Sequence, residues 1–305
     1  MAYSDNNMSF GEALAKLKPA VRLTIPPGWF FSLPPSEEPR TLPPPPDHPT
    51  LAHPFTIPIG IYNKALNPVV PVTIALVYIT VVSFLNSVNR SRKQKPWAFS
   101  KTSFFHIMVI THNTLLAVYS AWTFIGMLNA LAVSVYSPRE SYGLAGTVDS
   151  LCKVNGPRGV GSAARYDPQT SSWGIANRVY HLGADTNPDA TDVGRLWNEG
   201  LAFYGWLFYI SKFYEVIDTL IIIAKGKKSS FLQTYHHAGA MLCMWAGIRY
   251  MSPPIWMFVF VNSFIHAIMV SIPSGVVNIA NFDYSIHSTF AALFVSKYLC
   301  GSKEV

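Results

Sequence analysis

Apolar residues in this chain gather in long runs rather than in the short alternating or one-faced stretches of a water-soluble core. A helix needs roughly 20 mostly apolar residues to cross the hydrocarbon of a bilayer. Five runs approach or exceed that length, at 69–88, 104–131, 201–224, 232–250 and 255–277, and a sixth at 286–300 is shorter. The pattern predicts an all-α polytopic membrane protein: one helical bundle over residues 69–300, followed by a short tail at 301–305. No internal repeat of fixed period is present.

The polar segments frame that bundle. Residues 1–68 hold 14 of the 23 prolines, including Pro43, Pro44, Pro45 and Pro46. Such a segment favours extended polyproline backbone and does not make a packed core. It is expected to be a poorly ordered tail with a short helix near 10–18, and it carries no apolar stretch of the signal-peptide kind. The stretch 137–198 is rich in Gly, Ser, Asp and Asn and much longer than an ordinary helix connection. It reads as a loop without chemistry, and its His181 as a solvated residue.

The net charge of +7 changes the picture in one respect. The cations form no basic face of a nucleic-acid-binding module, which argues against a nucleic-acid partner. Instead Arg90, Arg92, Lys93 and Lys95 follow one apolar run directly, and Lys225, Lys227 and Lys228 follow another. Lys/Arg excess in short flanking loops marks the cytosolic side. Two runs separate the clusters, so both fit that side, with the N-terminal tail and the 137–198 loop on the luminal side. Three cysteines, Cys152, Cys243 and Cys300, show no CxxC spacing.

Candidate chemistry lies where ionisable groups interrupt apolar runs, because such groups are costly at membrane depth unless they pair or work. Lys212, Glu215, Asp218 and Thr219 are spaced to share one side of a helix that must face the bundle interior. Lys212 and Glu215 alone would read as a structural ion pair. Asp218 has no cation in its own turn and is the better candidate to contact a histidine. Gln233, His236 and His237 share another helix face, and Asn262 stands one turn before His266. A metal is disfavoured, since only one histidine box exists: His48, His53, His181 and His287 lie outside any box, and His106 and His112 are six apart.

Lys212-Phe-Tyr-Glu-Val-Ile-Asp-Thr219 matches the KxxExxDT motif of the ELO fatty-acid elongases; 231–237 resembles their HxxHH box and 262–269 their NxxxHxxM segment. His112 and Asn113, with Leu116 and Ser120, are similar to the family's HN-x-x-L-x-x-x-S pattern. The resemblance runs over 104–269 with the 137–198 stretch set aside. It implies a seven-helix membrane barrel of the endoplasmic reticulum that condenses long-chain acyl-CoA with malonyl-CoA, releasing CO2 and CoA, with no further cofactor. Implied partners are membrane lipid, the reductases and dehydratase of the elongation cycle, and other elongase copies.

By that resemblance, His236 would form an acyl-imidazole, Asp218 would orient an imidazole, and His237, His266 and Asn262 would stabilise developing negative charge. Lys212, Glu215, Gln233, Asn262 and Asn113 become candidate substrate contacts, and Lys225, Lys227 and Lys228 candidates to attract the CoA phosphates. Two departures stand out. Gln233 replaces the first histidine of the box, which keeps hydrogen bonding but not titration. After Met269 the tyrosine-rich continuation is replaced by a stretch containing Pro273 and Gly275, so a truncated C-terminus is expected. The alternatives are an inactive elongase-like subunit and a histidine-box lipid oxidase.

Overall fold

The computed structural model describes residues 48–156, 158–162, 164–167, 172–175 and 194–271. The expected helix near 10–18, His181, the 286–300 run and the chain after residue 271 lie outside them.

A short helix α1 (Ile59–Ala65) leads into α2 (Val69–Ser91), whose start is fixed by the Asn67 Oδ1, which accepts the Val69 N–H at 3.0 Å. After one 3-10 turn (Ala98–Lys101) comes α3 (Ser103–Ser134), capped by the Thr102 hydroxyl accepting the Phe105 N–H at 3.2 Å. Both α2 and α3 are long and apolar enough to cross a membrane. Only 22% and 39% of their apolar windows are buried, which leaves Leu76, Val77 and Phe84 of α2 and Phe104, Ile107, Leu115 and Val118 of α3 on the outside. Contiguous apolar surface of that extent suits lipid chains rather than water.

The third apolar run departs from the single helix expected over 201–224. It forms a π-type segment (Trp197–Gly205) kinked at Gly200, whose φ of +142° is non-helical and where the Leu201 N–H reaches the Leu196 carbonyl at 2.9 Å, then α5 (Trp206–Tyr214) and α6 (Val216–Ala224). The break falls at Glu215, where ψ relaxes to −12°. There the Glu215 carboxylate turns back onto its own helix to meet Lys212 and the Ser211 hydroxyl. The fourth run forms α7 (Phe231–Arg249), capped by the Ser230 hydroxyl on the Gln233 N–H at 3.0 Å, and the fifth forms α8 (Ile255–Ser271). Packing runs α3 along α8 and α2 along α7.

The two segments read as structureless are partly built into the fold. Within 137–198, α4 (Gly143–Cys152) and an antiparallel pair, β1 (Ala164–Asp167) and β2 (Ser172–Ile175), are ordered, with Ala164 opposite Ile175. The tail assigned to 1–68 is packed from its last stretch onward: Tyr62 and Leu66 are fully buried, and His53 Nε2–H donates to the Asn198 carbonyl at 3.0 Å. Their signal was masked by proline, which sets extended backbone without forbidding burial. Tyr62, Leu66, Trp197, Tyr204, Met244 and Val259 share the main core with these segments. Gly126 of α3 lies flat against the Tyr204 ring, a close approach that leaves no room for a Cβ.

At the opposite end the two basic loops meet, as the charge pattern required. Asn89 Nδ2 donates to the Ile223 carbonyl at 2.7 Å, and the Trp97 N–H to the Ala224 carbonyl at 3.0 Å. Gly226, at φ +78°, presses against the backbone of Gln94 and Pro96, where any Cβ would collide.

Candidate functional site

Between the basic loops and the aromatic core, polar groups from six helices gather inside the bundle. At 1.5 Å per residue they stand roughly 8–20 Å along their helices from the basic end. Lys212, Glu215, Asp218 and Thr219 cover an arc of about 120° around their helical axis, and they reach three different helices.

Lys212 and Glu215 face α8. The Lys212 ammonium donates to Glu215 Oε1 at 2.6 Å and to Asn262 Oδ1 at 3.1 Å, and lies 3.9 Å from the centre of the Phe208 ring. Ser211 Oγ donates to the same Glu215 oxygen at 3.2 Å. Lys212, Glu215 and Asn262 are all buried. Their polar atoms are engaged with one another, so the structure favours the ion-pair reading of Lys212 and Glu215 over direct contact with a ligand. Their work is to hold α5 against α8 and to set the position of Asn262.

Asp218 faces α3. Its Oδ1 accepts from His112 Nε2 at 2.8 Å, and the His112 ring packs on Tyr214 with centroids 5.0 Å apart. The carboxylate therefore takes a histidine, as expected, but its hydrogen bond goes to His112 rather than to the His236–His237 pair. Asn113 is exposed. Successive helix positions differ by about 100°, so when His112 turns inward its neighbour turns out. Asn113, expected among the substrate contacts, thus lies on the outer face of α3, while His112 lies in the polar interior.

Thr219 faces α2. Its hydroxyl and the Tyr78 hydroxyl are 2.9 Å apart, and the Tyr78 ring meets the His237 imidazole edge-on at 6.1 Å. His236 and His237 stand 5.4 Å apart, centroid to centroid, with His237 buried and His236 half-buried. Glu215 lies within electrostatic reach of His237 and His266, and His236 within reach of His237, His266, Lys212 and Glu215. Asp218 also acts on His237 and His266. The three histidines of the expected site thus share one polar interior with both carboxylates. Gln233 is half-buried one turn before them; Lys225, Lys227 and Lys228 are exposed at the basic rim.

Chemically the arrangement offers unsubstituted imidazoles in a low-dielectric interior, an amide and an ammonium at fixed positions, and a carboxylate already bound to a further imidazole. That set can supply a nucleophile and donors for developing negative charge. Among the described residues, no group of three His, Cys, Asp or Glu side chains converges as a metal site. Tyr78 and His112 are the additions to the site made by the structure. His112 carried a signal in its pairing with Asn113, while Tyr78 looks in sequence like any aromatic of an apolar run.

Comparison with known proteins places these residues in a family. The family model described as ELO, the GNS1/SUR4 family, matches residues 64–271. A putative fatty acid elongase of Dictyostelium discoideum is 41% identical over 75 residues, which cover 24% of this chain and 25% of that protein. Fatty acid elongase 2 of Trypanosoma brucei brucei is 32% identical over 78 residues, 26% of this chain and 29% of the relative. Fatty acid elongase A of Dictyostelium discoideum is 36% identical over 67 residues, 22% and 25% of the two chains. The chain thus spans about a quarter of the length of these curated relatives. No solved structure matches it.

Proposed function

The chain belongs to the ELO (GNS1/SUR4) family, and from that membership we propose that it is a membrane-embedded condensing enzyme of fatty-acid elongation, resident in the endoplasmic reticulum. The observation that carries the reading is the convergence of His236, His237, His266, Asn262 and the His112–Asp218 pair on one buried polar interior within the matched span. The names of the relatives supply the substrate class, and the apolar helices supply the solvent for an acyl chain.

The His236 lone pair attacks the acyl carbon of an acyl-CoA. The C–S bond breaks, CoA leaves as a thiolate that takes up a proton, and an acyl-imidazole remains. Malonyl-CoA then loses CO2 as its carboxylate C–C bond breaks. The resulting enolate carbon bonds to the acyl carbon, and the C–N bond breaks with its electron pair returning to the imidazole. The product is a 3-oxoacyl-CoA two carbons longer. His237, His266 and Asn262 stabilise the oxyanion and the enolate oxygen, and Lys212 with Glu215 hold Asn262 in place. Lys225, Lys227 and Lys228 draw the CoA phosphates to the cytosolic rim. In the full assembly the bundle closes into the seven-helix barrel of the family, with a tunnel for the acyl chain.

Microsomes from an elongase-deficient host expressing this chain test the reading. With long-chain acyl-CoA and labelled malonyl-CoA they yield a labelled product two carbons longer; no product from inserted, folded protein overturns it. Rapid quench with acyl-labelled substrate places label on the peptide containing His236. Turnover with no label on protein removes the covalent step alone.

A further inference from the structure

The His112–Asp218 contact joins a residue of α3 to the acidic end of the 212–219 motif, and His112 is a poor structural residue. Its side chain is 3% exposed, and its Nδ1 has no hydrogen-bond partner. A buried polar atom left unsatisfied destabilises the fold. A phenylalanine or leucine at that place would pack against Tyr214 without that cost. All that the imidazole gains in return is one bond, Nε2–H to Asp218 Oδ1 at 2.8 Å. An ionised carboxylate only accepts, so the bond fixes the ring proton on Nε2.

Asp218 is placed differently. Its side chain is 30% exposed, and its charge is felt by His237 of α7 and His266 of α8. One oxygen, Oδ1, is anchored toward α3, which leaves Oδ2 without a part in that contact. A free aspartate in a single helical turn samples more than one rotamer; one pinned by a buried imidazole does not.

We propose that His112 is a positioning residue of the condensing site, pinning Asp218 Oδ1 so that Oδ2 is presented to the imidazoles of α7 and α8. The proposal rests on the condensing-enzyme reading for its reaction, but not for its geometry. It makes the unsatisfied Nδ1 intelligible, because stability is given up where a site needs a fixed group.

Two variants separate positioning from packing. His112→Phe removes the donor and fills the space; His112→Gln keeps an N–H near the position of Nε2. Thermal unfolding of purified protein is expected to be unchanged or raised in His112→Phe, while kcat falls about 100-fold with KM held, the loss typical of a misplaced group. His112→Gln is expected to return kcat to within about fivefold. Carbethoxylation of His236 and His237 by diethyl pyrocarbonate, followed peptide by peptide, needs no turnover; its rate should fall in His112→Phe and recover in His112→Gln. Equal loss of melting temperature and activity in His112→Phe overturns the proposal, as does full activity, or imidazole reactivity identical in all three proteins. If the wild-type chain elongates nothing yet the reactivity follows the expected order, the positioning role stands and the condensing reaction falls.

Discussion

Two buried polar clusters lie apart in this molecule, and they are built differently, one around a single guanidinium and the other around imidazoles. Away from the basic loops, the Arg195 guanidinium uses every donor. Nε and Nη2 reach the Ser162 carbonyl, Nη1 the carbonyls of Asp149 and Lys153, and Nη2 also the Gly159 carbonyl and Asp149 Oδ2 at 2.9 Å. The cluster within the bundle holds His236 and His237 in ring contact with each other, and His112 with one nitrogen buried and unpaired. A network with all its valences filled specifies structure. One with valences left open in an apolar interior is destabilising by itself, and that is where an incoming molecule can be bound.

The largest effects should fall on opposite sides of that comparison. His236→Ala is expected to lower elongation by roughly 10³-fold or more, as loss of a covalent nucleophile does, with the melting temperature unchanged. Arg195→Leu strips several buried carbonyls of their donor and leaves the Asp149 carboxylate with Lys153 alone, and is expected to cost about 3 kcal/mol of stability. Protein that still folds should retain its kcat. Thermal unfolding in detergent and product analysis of both variants check the pair; a fully stable Arg195→Leu variant would break the contrast.

Lys212 and Glu215 are the case that lies between, structural in contact yet placed within the site. Lys212→Met strands a buried carboxylate and should destabilise by about 3 kcal/mol. Adding Glu215→Gln should recover most of that, since a neutral amide replaces the charge, but not the activity, because Asn262 Oδ1 still lacks its Lys212 donor. A double-mutant cycle read by both unfolding and turnover tells the two apart. Recovery of both together would make the pair purely structural.

A smaller effect comes from packing alone. Gly126→Ala forces a methyl group into the face of Tyr204, whose hydroxyl also donates to the Leu51 carbonyl at 2.6 Å. Overpacking of this kind costs about 1–3 kcal/mol. The change should appear as a lower melting temperature with an unaltered pH–rate profile.

The same contrast explains what could be read from the sequence. Runs of apolar residues are local signals, and four of the five long runs begin as helices within a residue of where the pattern places them, at Val69, Ser103, Phe231 and Ile255. The basic loops also meet as the charge pattern required. The break at Glu215 was hidden because a lysine and a glutamate three apart look equally at home on one straight helix. The fanning of Asp218 toward His112 and of Thr219 toward Tyr78 depends on partners more than 100 residues away in sequence. The burial of Tyr62 and of Arg195 was masked in the same way by proline-rich and glycine-rich surroundings, which report on backbone freedom and not on what packs against it.

Acid sharpens the comparison by acting on the satisfied end. Burial pushes the His53 imidazole below its ordinary value, with the Asn198 carbonyl opposing. The neutral ring is thus the form the fold prefers, so His53 contributes stability in full above about pH 6.5, and that contribution falls as the pH drops below it. Burial alone would raise the Asp149 carboxyl, but Lys153 and Arg195 together hold it below its ordinary value. Its contribution is present above about pH 4 and is lost as the pH falls through the depressed value. Loosening of this end should therefore proceed in two stages, read as faster amide hydrogen exchange at residues 194–198 after correction for intrinsic rates. His53→Gln keeps a donor for the Asn198 carbonyl but cannot titrate, so it should abolish the upper stage and leave the lower one. Exchange at 194–198 that is flat from pH 7 to 5 in the wild-type chain would show that the His53 contact does not limit opening there.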